Sequence, residues 1–285
     1  MSAFGPLVDA TWLADHVSDP NLRVIDFRWA EGETGHSGYE AGHIPGAVFV
    51  DLEAEGLSAH ENGGGRHPLP HREAFEEAMR TAGVNRDSVV VAYDDRNGFT
   101  ACRLWWTLRY FGHDAVAVLD NGLTGWSGPL DTGWHQVPRG DFVAAPPRTA
   151  MKLDYEEIRQ RSGGPILLDA RRPTRYRGEF EPTDPRAGHI PGAGSAPWGG
   201  NLDERGRFKS AAELRERFEE LGVQDGRDVV AYCGSGVSAC VNLLALELAG
   251  LSGARLYPGS WSDWSRRTEA PVATGDETLH GASRV

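Results

Sequence analysis

Six consecutive residues, Gly42-His43-Ile44-Pro45-Gly46-Ala47, occur a second time as Gly188-His189-Ile190-Pro191-Gly192-Ala193. A repeat of this kind constrains the fold more than any local propensity, because both copies must form the same supersecondary unit. Other segments recur in the same order around it. Val24-Ile25-Asp26 is answered by Leu167-Leu168-Asp169, Val89-Val90-Val91-Ala92-Tyr93 by Asp228-Val229-Val230-Ala231-Tyr232, and the run from Gly122 to Trp126 by Gly259 to Trp264. The spacing between matched segments shrinks slowly along the chain, as small loop deletions between collinear copies require. At 285 residues with 40% hydrophobic content, the chain has the length for two domains and the apolar side chains for a core in each.

Each copy reads as short β-branched runs separated by stretches of helical spacing. In the first copy the runs are 23–27, 47–50, 88–93 and 115–119, and the helical stretches include 71–82 and 99–111. Such alternation predicts an α/β fold, a parallel sheet covered by helices on both faces. The stretch from Trp134 to Thr149 carries three prolines and no helical period, which marks a linker. The expected organisation is a first domain over 6–134, a linker over 135–150, a second domain over 151–275 and a tail over 276–285. The repeated His-Ile-Pro-Gly reads as a turn: proline fixes φ, glycine takes positive φ, and isoleucine is held extended before the proline. His43 and His189 are then hydrogen-bonded within that turn. Trp105, Trp106, Tyr110 and Phe111 form a helical aromatic stripe expected in a core, and Asp94-Asp95 reads as a solvated turn.

Bulk properties exclude several function classes. A net charge of -12 with no basic stripe disfavours nucleic acid and anionic membrane surfaces. The N-terminus shows no basic leader, and no run approaches the ~20 apolar residues of a membrane span, so a cytoplasmic location is expected. Three cysteines are too few and too irregularly spaced for a disulfide framework, and no Cys-x-x-Cys or Cys/His cluster offers a metal site.

The copies diverge most informatively after Tyr93 and Tyr232. The first continues Asp94-Asp95-Arg96-Asn97-Gly98; the second continues Cys233-Gly234-Ser235-Gly236-Val237-Ser238 and enters a helical run over 237–249. A Gly-rich loop between a strand and a helix turns backbone N–H groups and a helix N-terminus toward whatever sits in it, which favours an anion. A cysteine there has its thiolate stabilised by the same dipoles. Read on residue type alone, a cysteine at a strand end is a small buried hydrophobe, but Gly234 and Gly236 on either side of Ser235 have no purpose around a plain core residue. Cys240 and Cys102, set on apolar helical faces, read as core.

With the paired Gly-His-Ile-Pro-Gly segments, a first copy lacking the thiol, and the loop Cys233-Gly-Ser-Gly-Val-Ser, the chain from about 8 to 270 resembles the tandem-domain rhodanese and 3-mercaptopyruvate sulfurtransferase family. The resemblance implies two rhodanese-like domains, the second catalytic, and a Cys233 that takes a sulfane sulfur as a persulfide and passes it to cyanide, a thiol or a thioredoxin-type protein. No metal or organic cofactor is implied. The loop is neutral and similar to the Cys-Gly-Ser/Thr-Gly-Val-Thr pattern of mercaptopyruvate users, with Ser238 where that pattern has Thr; thiosulfate remains the alternative donor. Arginine suits a carboxylate clamp because its planar fork makes two parallel hydrogen bonds. Arg175, Arg177 and Arg186 are the candidates, with Arg175 on one of the family's substrate-binding positions. The family also implies that Ser235 and His67 assist proton transfer, and Glu53 stands where relatives have Asp.

Two rivals differ in class. A cysteine phosphatase or arsenate reductase needs arginine at the end of a Cys-x5-Arg loop, and Ala239 stands there. A non-catalytic rhodanese-like binding module has no need of the Cys-Gly-Ser-Gly loop.

Overall fold

The computed structural model describes residues 5–30, 33–53, 57–58, 64–160 and 164–276, so the expected tail lies outside it beyond its first residue. The chain divides into two compact units. The first runs to residue 148 and includes Arg205–Arg207; the second holds the chain from 149 onward, apart from those three residues, together with 64–68.

In the first unit the strands are β1 (Leu7–Val8), β2 (Leu22–Asp26), the small antiparallel pair β3 (Trp29–Ala30) and β4 (Glu33–Thr34), β5 (Val48–Phe49), β6 (Val89–Tyr93) and β7 (Val116–Leu119). The helices are α1 (Ala10–His16), α2 (His36–Ala41), α3 (Arg72–Thr81), α4 (Ala101–Tyr110) and α5 (Gly122–Gly125). Five strands form one parallel sheet in the order β1-β7-β6-β2-β5. The nearly all-apolar β6 is buried from Val90 to Tyr93, as a central strand covered on both faces must be. Helix α4 is also interior: Trp105, Trp106, Tyr110 and Phe111 are all buried, so the aromatic stripe is core. The linker stretch has no regular secondary structure over 135–148, yet it is not loose. Phe142 and Ala144 are buried, and Phe142, Ala145 and Arg148 donate backbone hydrogen bonds to Val84, Phe111 and Tyr110 of the first unit.

The second unit repeats the plan. Its strands are β8 (Ile166–Asp169), β9 (Ala193–Ser195), β10 (Val229–Tyr232) and β11 (Arg255–Leu256), and its helices are α6 (Tyr155–Arg159), α7 (Pro173–Tyr176), α8 (Ala211–Glu220), α9 (Ala239–Leu248) and α10 (Ser260–Trp264). The parallel sheet runs β11-β10-β8-β9. Its counterpart of β1 is reduced to one parallel bridge, Lys152 to Leu256.

The repeated turn is explained by one buried cluster present in both units. Register sets Tyr232 beside Asp169 and Tyr93 beside Asp26. Asp169 is paired bidentately with Arg171, whose Nη2 also donates to the Gly188 carbonyl at 2.6 Å; Asp26 and Arg28 do the same with Gly42 at 2.8 Å. The tyrosine hydroxyls accept the N–H of Ile190 and Ile44, each at 3.2 Å. His189 and His43 hydrogen-bond the carbonyls of Tyr176 and Tyr39 and stack on those rings at centroid distances of 3.8 and 3.9 Å. Gly192 and Gly46 adopt φ of 74° and 73°. The His-Ile-Pro-Gly segment is thus a structural turn clamped to the ends of two strands. Burial pushes the Asp26 carboxyl above its ordinary range, with Arg28 opposing the shift. Removing one member of such a pair strands the other charge, so Asp169→Ala should lower stability by about 3–5 kcal/mol, read as an earlier urea transition than wild type.

Candidate active site

The C-terminal end of β10, an interior strand of the second sheet, delivers Cys233 into the loop that feeds α9. Position and chemistry agree with where open parallel sheets place their sites. The Gly236 N–H donates to Cys233 Sγ at 3.1 Å, closing a tight ring around the sulfur. Gly236 has φ of 79°, and a Cβ there would lie 2.5 Å from the Pro258 carbonyl oxygen, so only glycine fits. Val237 and Ser238 are buried, with Ser238 at the N-cap of α9.

The first turn of α10 holds this loop from outside. The Cys233 N–H donates to Ser260 Oγ at 3.1 Å; Trp261 and Ser262 donate their N–H groups to the carbonyls of Cys233 and Gly234 at 2.9 and 2.8 Å. Ser260 carries a left-handed φ of 54°, which is a strained geometry for a non-glycine residue and turns its hydroxyl toward the loop. Cys240 is fully buried, with its Sγ donating to the Gly236 carbonyl at 3.5 Å, and Cys102 is fully buried on α4.

The segment 64–68, read from the sequence as part of the first copy, packs in the second unit. Its Arg66 N–H donates to Ser262 Oγ at 3.0 Å, and His67 Nδ1 lies 2.7 Å from Ser235 Oγ. His67 is buried, so the pair is shielded from bulk water. Little in the sequence marks Arg66 for such a place. Its one signal was adjacency to His67 in Gly64-Gly65-Arg66-His67-Pro68.

The three arginines expected to bind substrate part company. Arg175 reaches the loop: a Cβ on Gly234 would sit 3.0 Å from Arg66 Nη2 and 3.4 Å from Arg175 Nη1. Both guanidiniums are held by carboxylates. Glu181 takes Arg175 Nε and Nη2 at 3.0 and 2.5 Å, and Asp184 bridges Arg175 Nη2 at 3.1 Å to Arg66 Nη1. Burial pushes the Asp184 carboxyl above its ordinary range, opposed by Arg66. Arg186 is directed elsewhere. Its Nε, Nη1 and Nη2 donate to the carbonyls of Ser265, Ala270, Trp264 and Arg267, so the expectation that it clamps a substrate gives way to a structural role tying down the chain after α10. Arg177 pairs with Glu179 at 2.6 Å and lies toward Asp276. Glu53 is exposed, its N–H on Asp51 Oδ1 at 2.9 Å. Among the described residues no group of three or more His, Cys, Asp or Glu side chains could hold a metal ion, and no helix is long and apolar enough to cross a membrane.

Residues 9–129 and 154–267 each match the model of the rhodanese-like domain. A Pseudomonas aeruginosa protein provisionally named as a 3-mercaptopyruvate sulfurtransferase is 44% identical over 283 residues, covering 95% of this chain and 98% of that protein. One from Mycobacterium tuberculosis, provisionally named as the thiosulfate sulfurtransferase SseB, is 41% identical over 278 residues, covering 94% and 97%. Among solved structures, SseA from Escherichia coli, described as a 3-mercaptopyruvate sulfotransferase, superposes with a TM-score of 0.80 at 38% identity, over 91% of this chain and all of that one.

The equivalent loop of the first unit carries Asp94 where the second carries Cys233. The expectation of a solvated Asp94-Asp95 turn fails for Asp94, which is fully buried, while Asp95 is exposed. Asp94 Oδ1 accepts the N–H groups of Arg96 and Gly98 at 2.8 and 2.9 Å, and Oδ2 those of Thr100 and Ala101 at 2.7 and 2.9 Å. The strand-loop-helix cradle therefore binds an anion in this unit, supplied by its own side chain. Asp94→Ala leaves four N–H groups, three of them buried, without this acceptor and should lower stability by about 3 kcal/mol or more, whereas Asp94→Asn should lower it less; urea unfolding of both variants measures the difference.

Proposed function

This chain belongs to the rhodanese family, with a copy of the domain in each half, and from that premise we propose that it is a sulfurtransferase working through Cys233. The observation that carries this reading is the Gly236 N–H on Cys233 Sγ, beside the Ser235–His67 pair and the two guanidiniums at Gly234. An N–H aimed at sulfur stabilises negative charge there, both on an attacking thiolate and on the persulfide that follows. The Cys233 sulfur attacks the outer sulfur of the donor and forms an S–S bond. With 3-mercaptopyruvate the donor's C–S bond breaks and pyruvate leaves as its enolate, which must gain a proton. Ser235 and His67, 2.7 Å apart, are suited to relay that proton, and Arg175 with Arg66 to hold the carboxylate. Cyanide or a thiol, including a thioredoxin-type protein thiol, then takes the outer sulfur and returns Cys233 to the thiolate. We place this work in the cytoplasm, where a reducing pool keeps Cys233 as a thiol.

Thiosulfate is the second reading. It is favoured by the two guanidiniums at Gly234, which suit a dianion, and by the name of the mycobacterial relative. Sulfite would then be the leaving group and would need no proton.

Initial rates with the two donors, with Cys233→Ser as control, test both readings. The expected result is faster turnover of mercaptopyruvate, loss of turnover in the variant, and a gain of one sulfur atom in the intact mass of the donor-treated wild type. Inactivity with both donors would return a binding module to the front. His67→Asn should lower kcat with mercaptopyruvate on the order of a hundredfold and lower it much less with thiosulfate, because only the enolate needs the relay. Arg175→Ala should raise the donor KM roughly tenfold or more with kcat less affected.

A further inference from the structure

Asp184 has no counterpart among the residues assigned above to bonding or proton transfer, yet it touches both guanidiniums of the site. Its side chain is 1% exposed. Oδ1 accepts from Arg66 and Oδ2 from Arg175, while its own N–H is fixed on Glu181 Oε1 at 3.1 Å. Glu181 occupies the Nε and Nη2 edge of Arg175 and also accepts from Arg171 Nη1 at 3.2 Å. Arg66 Nη2 and Arg175 Nη1 take no part in these pairings, and both lie beside Gly234.

We propose that Asp184 is a specificity-determining residue, bracing the two arginines so that one Nη of each faces the cysteine loop while its charge matches the site to a monoanionic donor. This rests on the sulfurtransferase reading above. The charges of Arg66 and Arg175 are balanced by Glu181 and Asp184, so a donor enters a site that is locally close to neutral although two cationic forks line it. A dianion such as thiosulfate gains two hydrogen-bonding guanidiniums but meets the Asp184 carboxylate with twice the charge of a keto acid. Neutralising Asp184 therefore helps a dianion more than a monoanion, since Coulomb energy scales with the product of charges.

The test is kcat/KM for thiosulfate relative to 3-mercaptopyruvate in the full chain. Asp184→Asn should raise that ratio by about tenfold, chiefly through the thiosulfate KM, and Asp184→Ser should move it in the same direction. Asp184→Glu keeps the charge and displaces the carboxylate, so both rates should fall while the ratio stays near wild type. Thermal unfolding of each variant checks that the chain is folded. An equal loss with both donors in Asp184→Asn, or a ratio that moves toward mercaptopyruvate, overturns the inference and leaves the sulfurtransferase reading standing. A wild type that moves sulfur from neither donor removes that reading and this inference with it.

Discussion

The ion pair between Asp169 and Arg171 is the constraint on which the second unit's site depends. Both groups are buried at the end of β8, where their desolvation is offset only by close bidentate pairing and by full use of the guanidinium's donors. Arg171 uses those donors in three directions. It holds the Gly188 carbonyl of the repeated turn, it reaches Glu181, which in turn fixes Arg175, and its guanidinium carbon lies 4.6 Å from the ring centroid of Trp261, whose backbone N–H supports the Cys233 carbonyl. Tyr232, adjacent in register to Asp169, completes the cluster on the residue immediately before the cysteine. The sheet core and the site are therefore parts of one connected polar network inside an apolar shell.

The two units show what a single backbone design does with different side chains. A parallel strand, a short loop and an interior helix turn backbone N–H groups inward, four of them onto Asp94 in the first unit and that of Gly236 onto Cys233 in the second. In the first unit a carboxylate accepts these groups and contributes to the fold; in the second a cysteine stands at the equivalent position. The two loops differ in sequence throughout, and in the second the left-handed Ser260 at the start of α10 takes the N–H of the cysteine.

Much of this was legible in the chain. Repetition and strand-helix alternation were sufficient for the α/β class and placed the named runs within two residues, while short elements such as α1, α2 and the β3–β4 pair carry no such signal. Cys233 stands out in the chain because glycines on either side of Ser235 make sense only around a shaped backbone. What could not be read were partners set by distant chain: Arg186 looks like a substrate arginine until four carbonyls from 264–270 are seen to surround it, and Arg66, Ser262 and Asp184 acquire meaning only when 64–68 and 181–184 meet the loop. Asp94 was misread for the same reason. Two adjacent aspartates look solvated, and only the folded loop separates one buried and fully bonded from one exposed.

The boundary of the repeat and the boundary of the compact unit do not coincide. Residues 64–68 belong to the first copy by position in the chain and to the second unit by packing, and Arg205–Arg207 are placed the opposite way. A cut at the boundary of the repeat would therefore part Arg66 and His67 from Ser262 and Ser235, the hydroxyls they meet in the second unit.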